Sequence, residues 1–85
     1  MQIYYSSKFA REYRKLPRAI KLRAETTEKL FRANPSHPKL KIHKLGGRLK
    51  EYWAFSIDAH YRIIFEFYKQ DIIWFHSVGN HSIYD

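Results

Sequence analysis

From Leu49 to Val78 apolar residues alternate with other residues in successive runs, and this period of two restricts the fold more than any other feature of the chain. In Leu49–Ile57, Leu49, Trp53, Phe55 and Ile57 alternate with Lys50, Tyr52, Ala54 and Ser56. In Tyr61–Tyr68, Tyr61, Ile63, Phe65 and Phe67 alternate with Arg62, Ile64, Glu66 and Tyr68. Ile72–Val78 is a third run, rich in aromatics. Successive side chains of a strand point to opposite faces, so each run reads as a strand with one apolar face. The connections Asp58-Ala59-His60 and Lys69-Gln70-Asp71 are tight, which makes the three strands an antiparallel meander. Gly79-Asn80 ends the last strand and leaves a tail, His81–Asp85.

The first half of the chain supplies the cover for that apolar face. Gln2–Tyr5 reads as a short first strand. Ser6 or Ser7 can cap a helix, because a side-chain oxygen accepts from the free N–H groups of a first turn. Phe9, Tyr13 and Leu16 then recur at helical spacing. Pro17 suits the start of a second helix, whose inward stripe is Ile20, Ala24, Thr27 and Phe31, with Leu30 alongside. Asn34-Pro35 stops it, since proline disfavours helical geometry in the residue before it. Residues 35–48 form the longest connection, and long loops in small domains often carry function. The expected architecture is a single α+β domain over residues 1–85, of order β-α-α-β-β-β. Two antiparallel helices pack on one face of a small, twisted, mainly antiparallel sheet, and the other face stays open.

Charge adds a functional constraint. Fourteen of the sixteen Lys and Arg lie in residues 1–50 with three acids, a net of +11, whereas residues 51–85 carry a net of −3. Such concentration points to a polyanion, nucleic acid being the commonest, against the alternative of a solvated surface that keeps a small protein soluble. The chain has no Cys, which excludes thiolate chemistry and Cys-based zinc sites. It shows no charged-then-apolar leader and no apolar run near membrane-spanning length, so a cytoplasmic protein without membrane contact is expected.

Three stretches carry a resemblance to a known family: the opening YYSSKFAREYRKLP, the central HKLGGRLKEYWAFSIDAHYRIIFEF and the closing SVGNHSIYD. Together they cover nearly the whole chain, which resembles the RelE/ParE toxin superfamily. In pattern it is most similar to the RelE, YoeB and YafQ mRNA endonuclease branches. The resemblance implies a toxin of a type II toxin–antitoxin system that cuts mRNA, in the ribosome, without a metal or other cofactor. It also implies a cognate antitoxin as partner.

RNA cleavage without a metal needs a base for the ribose 2′-proton, cationic donors for the pentavalent phosphorane and an acid for the departing 5′-oxygen. Histidine suits both proton roles because its ordinary pKa, about 6.5, lies near working pH. By resemblance, His43 is the base, Arg62 the phosphate-binding arginine, His81 the acid and Tyr84 the aromatic that positions RNA. Lys44, Arg48 and Lys50 supply a positive field, and His60 assists at the turn. Each has an ordinary reading beside it. His43 and His60 can be surface histidines, Arg62 can pair with Glu66, and Tyr84 can anchor the tail. His76, inside an aromatic strand, reads as a packed histidine, and His37 has no assignable role. The spacings of the histidines match no metal-ligand motif. Relatives with lysines along the strand that here reads YWAFSI differ at Trp53 and Phe55, which favours a base-plus-acid pair over a lysine-assisted site. Two alternatives stand beside the nuclease: a ParE-like gyrase-inhibiting toxin, and a non-catalytic nucleic-acid-binding domain. The pairing of His43 with His81 favours RNA cleavage over the former.

Overall fold

A computed structural model describes residues 1–80. Its strands are β1 (Gln2–Tyr5), β2 (His43–Lys44), β3 (Trp53–Ser56), β4 (Arg62–Lys69) and β5 (Ile72–Gly79), and its helices are α1 (Ser7–Arg14) and α2 (Arg18–Ala33). The sheet order is β1-β5-β4-β3-β2. β1 runs parallel to β5, and every other pair is antiparallel. α1 and α2 carry the chain from β1 at one edge of the sheet to β2 at the other, and both helices pack on one face.

Local chemistry sets the helix limits. Ser6 caps α1 by accepting from the Phe9 N–H at 2.9 Å. α2 starts after Pro17 without a side-chain cap, and it ends at Asn34, whose N–H reaches the Leu30 carbonyl at 2.8 Å. Pro35 then prevents another turn. Phe9 and Leu16, and Ala24 and Phe31 of α2, are buried as their spacing predicts.

Phe31 is the centre of the core. It has no exposed surface, and its ring centroid lies 4.8 Å from Phe55, 5.1 Å from Phe65 and 5.9 Å from Phe75. One helical side chain thus meets three adjacent strands. Full burial of such a ring contributes about 1.5–3 kcal/mol by area alone.

The edge of β5 is shared by two elements. β1 pairs with β5 only from Ile72 to Phe75. Beyond that point α1 takes over: Ser6 Oγ donates to the His76 carbonyl at 2.7 Å, and the Val78 N–H donates to Glu12 Oε1 at 3.1 Å. Glu12, the one acid among the seven basic residues from Lys8 to Arg23, therefore closes a backbone donor that no strand reaches.

Several details depart from strict alternation. β3 begins only at Trp53, and Leu49 sits in a short 3-10 turn, Gly47–Leu49. Gly47 enters that turn with φ +62°, a left-handed conformation that a side chain would strain. His43–Lys44, expected within a loop, adds a fifth strand by pairing with β3. The rest of residues 35–48 is tied down by Leu40, which is fully buried after a 3-10 turn capped by the His37 ring. Phe67, expected inside, is 52% exposed: its ring meets Trp53 and Phe65 on one side and borders an open cleft beside Pro35–Pro38, which follow α2, on the other. Ile64 keeps its expected place on the face away from the helices but is buried there. Finally, Phe75 and Val78 both enter the core although three residues apart, because a register shift opposite Ile64/Phe65 makes His76 an extra residue in β5.

Replacing Glu12 by Ala leaves the Val78 N–H without its carboxylate. The expected loss is about 1–2 kcal/mol, with Glu12→Gln, which keeps an acceptor, losing less than half of that. Urea denaturation measures both; equal midpoints for wild type and Glu12→Ala would show that the contact contributes nothing.

Candidate functional site

Residues paired directly across strands share a face, so the register sorts the sheet. Phe55, Ile63 and Val78 form one row under the helices, and Trp53, Phe65 and Phe75 another. The opposite face carries the row His43–Ala54–Ile64–Ser77, flanked on one side by Ser56–Arg62–Gly79 and on the other by Glu66–Trp74. No described helix lies over this face. Its floor is small where it is deepest: Ala54 and Ser77 are fully buried, and the Ser77 hydroxyl has no partner among the described residues.

His43 reaches this face from β2. Its Nδ1 lies 3.0 Å from the Lys41 carbonyl oxygen. A carbonyl only accepts, so Nδ1 carries the proton, and in the neutral ring Nε2 is left with its lone pair. The ring is exposed, and the geometry suits a proton acceptor.

Arg62 opens β4 on the same face. The preceding turn is built by Asp58, whose Oδ1 accepts from the His60 and Tyr61 N–H groups, each at 2.8 Å. Burial pushes the Asp58 carboxyl up, but those two N–H donors and the nearby Arg23 outweigh it and hold the group below its usual range. Arg62 then donates through Nη1 to the carbonyls of Asp58 at 2.8 Å and Tyr61 at 3.2 Å. Among the described residues nothing takes Nε or Nη2, so two donors of the fork stay available. The alternative pairing with Glu66 does not form among the described residues: the turn carbonyls hold the guanidinium instead. His43 and Arg62 are two strands and two residues apart, roughly 12 Å between backbones at ordinary sheet spacings. Two inward-reaching side chains at that separation can bracket a ribose and its phosphate.

His76 is the residue that pattern reading misses. It is not packed in the core: as the extra residue of β5 its ring stacks on Tyr52, with centroids 4.7 Å apart and planes 25° apart. Tyr52 adjoins β3 and His76 belongs to β5, so the pair meets over the intervening β4. Burial first, and then the charge of Lys8, push the His76 imidazolium pKa down against the opposing pull of Glu66 and Glu12. The ring is thus held neutral beside the row of His43. The signal is present in the sequence as the odd spacing of Phe75 and Val78.

The remaining candidates scatter. Lys44 pairs with Trp53, which assigns it to the helix side of the sheet. Arg48 and Lys50 lie at the exposed 3-10 turn, and His60 is exposed in the Asp58 turn. His81 and Tyr84 lie outside the described residues. His37 acts structurally, its Nδ1 accepting from the Lys39 N–H at 3.1 Å. A cleft of about 650 Å³ between α2, residues 37–41 and residues 56–59 is lined by Arg23, Lys39 and Lys41 together with Asp58. No cluster of three His, Asp or Glu able to hold a metal occurs among the described residues.

No family model and no curated protein matches the sequence. Solved structures do match the fold. YafQ from E. coli strain BL21(DE3) superposes with a TM-score of 0.81 at 18% identity, covering 98% of this chain and 96% of that one. A YoeB/ParE toxin from Agrobacterium tumefaciens gives 0.78 at 14%, covering 95% and 99%. A chain of the RelB–RelE antitoxin–toxin complex from Methanococcus jannaschii gives 0.72 at 26%, covering 95% and 94%. The fold is that of the RelE/ParE toxin superfamily. Within this RelE/ParE fold the helix-free face gathers His43, Arg62, Tyr52 and His76, and the two helices occupy the other side.

The lowered His76 value has a measurable sign. The unfolded chain takes up this proton near the ordinary value of 6.5, the folded chain only at lower pH. Below 6.5 the unfolded state therefore binds more protons, and stability falls as pH falls through the window between the two values. His76→Phe keeps a stacking ring and removes the titration, so its melting temperature should drop less than that of wild type between pH 7 and pH 5. Parallel curves would show that His76 is not held neutral by the fold.

Proposed function

We propose that this chain is the toxin of a type II toxin–antitoxin pair and a metal-independent endoribonuclease that cuts mRNA on the ribosome in the cytoplasm. The observation that carries this reading is the pairing, on one helix-free face, of a histidine whose Nε2 is available with an arginine whose Nε and Nη2 have no partner among the described residues. His43 Nε2 takes the proton of a ribose 2′-hydroxyl. The resulting alkoxide attacks the adjacent phosphorus, and Arg62 stabilises the charge that builds on the phosphorane. The departing 5′-oxygen takes a proton from a general acid, the role assigned to His81, while Tyr84 positions the RNA. The bond broken is P–O5′, and the products are a 2′,3′-cyclic phosphate and a 5′-hydroxyl. Arg48, Lys50 and His60 contribute to holding the strand, whereas Lys44 faces the helix side. The likeness to a chain of an antitoxin–toxin complex supports an antitoxin as partner, and the basic first half suits an acidic, amphipathic one.

Arg62→Ala should retain a cooperative melt and lose cleavage by at least about a hundredfold, the scale for removing a transition-state donor. Arg62→Lys keeps charge without the planar fork and should fall between. His43→Gln should lose rate and flatten the acidic limb of the pH–rate profile, because only the neutral base works. The assay is mapping of RNA fragment ends with and without ribosomes. Near-normal cleavage by folded Arg62→Ala would remove that residue from the site; no cleavage under any condition, together with gyrase inhibition, would favour the ParE-like reading.

A further inference from the structure

The helix-free face continues past the His43–Arg62 rows to an exposed aromatic cluster at its other end. Tyr4 of β1 pairs with Trp74 of β5, and Trp74 with Glu66 of β4, so all three project from the face that bears Arg62. The register shift between Phe67 and Lys69 makes Tyr68 the extra residue there, and its ring meets Trp74 on this same face. Three adjacent strands each contribute one ring. Tyr4 is 46% and Tyr68 53% exposed, unusual for rings so close to one another.

The rings do not close on themselves. Tyr4 and Trp74 stand 5.5 Å apart at 41°, and Tyr68 meets Trp74 edge-on at 6.3 Å and 88°. Tilted and edge contacts leave ring faces without a stacked partner. Lys69 Nζ lies 5.4 Å from the Tyr68 centroid and brings a cation to the cluster. The neighbouring side chains on this face are Gln2, Glu66 and the half-buried Ile72, so the patch lacks the open aliphatic surface that a packed protein helix would need.

We propose that Tyr4, Trp74 and Tyr68 form a stacking platform for unpaired nucleobases of single-stranded RNA, leading away from the cleavage site. The proposal rests on the ribonuclease reading for its substrate class. Two things favour a base over other planar ligands. The platform shares its strands and face with Arg62, which needs a phosphate. Glu66, in the row beside Trp74, is four residues along β4 from Arg62, about 13 Å, so an extended strand passing Arg62 reaches the rings within about two to three nucleotides. Stacking on sheet-borne aromatics tolerates any base and rewards the larger purine surface.

The test uses a fluorescent six-nucleotide RNA with 2′-O-methyl groups throughout, which binds but offers no nucleophile. The chain has two tryptophans, Trp74 on the platform and Trp53, which packs against the core. RNA should quench wild-type tryptophan emission, and Trp74→Leu should abolish the quenching while Trp53 still emits. Kd should weaken on the order of tenfold in Trp74→Leu and in Tyr68→Ala. One abasic position in the RNA should weaken wild-type binding by a similar factor and should add little to the loss in Trp74→Leu. Thermal melts establish that the variants remain folded. Unchanged Kd in both variants overturns the platform, as does wild-type protein that binds no RNA. Variants that keep their RNA affinity but lose self-association or antitoxin binding also overturn it and identify a protein contact instead. Because this RNA cannot be cut, the outcome is independent of the cleavage assay: stacking without cleavage would overturn only the nuclease reading, and cleavage with unchanged Kd only the platform.

Discussion

The contact of Phe31 with Phe55, Phe65 and Phe75 is the constraint on which the other features depend. A chain of 85 residues without disulfides has little surplus stability, so its core must be concentrated. One ring, presented by α2, fixes the helix over three strands at once. Most of what the sheet offers on that side is then used, Phe67 excepted, and the opposite side carries no comparable buried cluster. That side is free to be polar and small in the middle, with Ala54, Ser56 and Ser77 as its floor. Packing on one face therefore makes chemistry on the other possible.

Much of this was legible in the residues. Period two in the second half, helical spacing in the first and the punctuation by Ser6, Pro17 and Asn34-Pro35 define every helix and four of the five strands. The fifth, β2, was not legible because two residues cannot display a period. Alternation also fails where the ladder slips. Each register shift reverses the parity of the residues after it, and in the sequence the one at His76 shows only as the odd spacing of Phe75 and Val78.

The candidate site was legible in a different sense. His43 and Arg62 could be named, but neither the free Nε2 of one nor the turn that holds the other can be deduced from spacing. Asp58 builds that turn with its own carboxylate and is thereby a positioning residue for Arg62. The charge asymmetry between the halves also takes physical form. The basic helices and loops border a sheet whose own β4 contributes Glu66 with Arg62 and Lys69, so positive potential comes from the periphery and discrimination from the strands.

The division of the β5 edge between β1 and α1 has a consequence for the behaviour of the protein in company. Where a helix side chain takes a strand N–H, a foreign strand cannot add there, and among the described residues the outer strands are the four residues of β1 and the two of β2. Both are too short to template a growing sheet. A small, aromatic-rich protein that exposes several rings is thereby protected from polymerising through its backbone, and its associations are confined to those its side chains select.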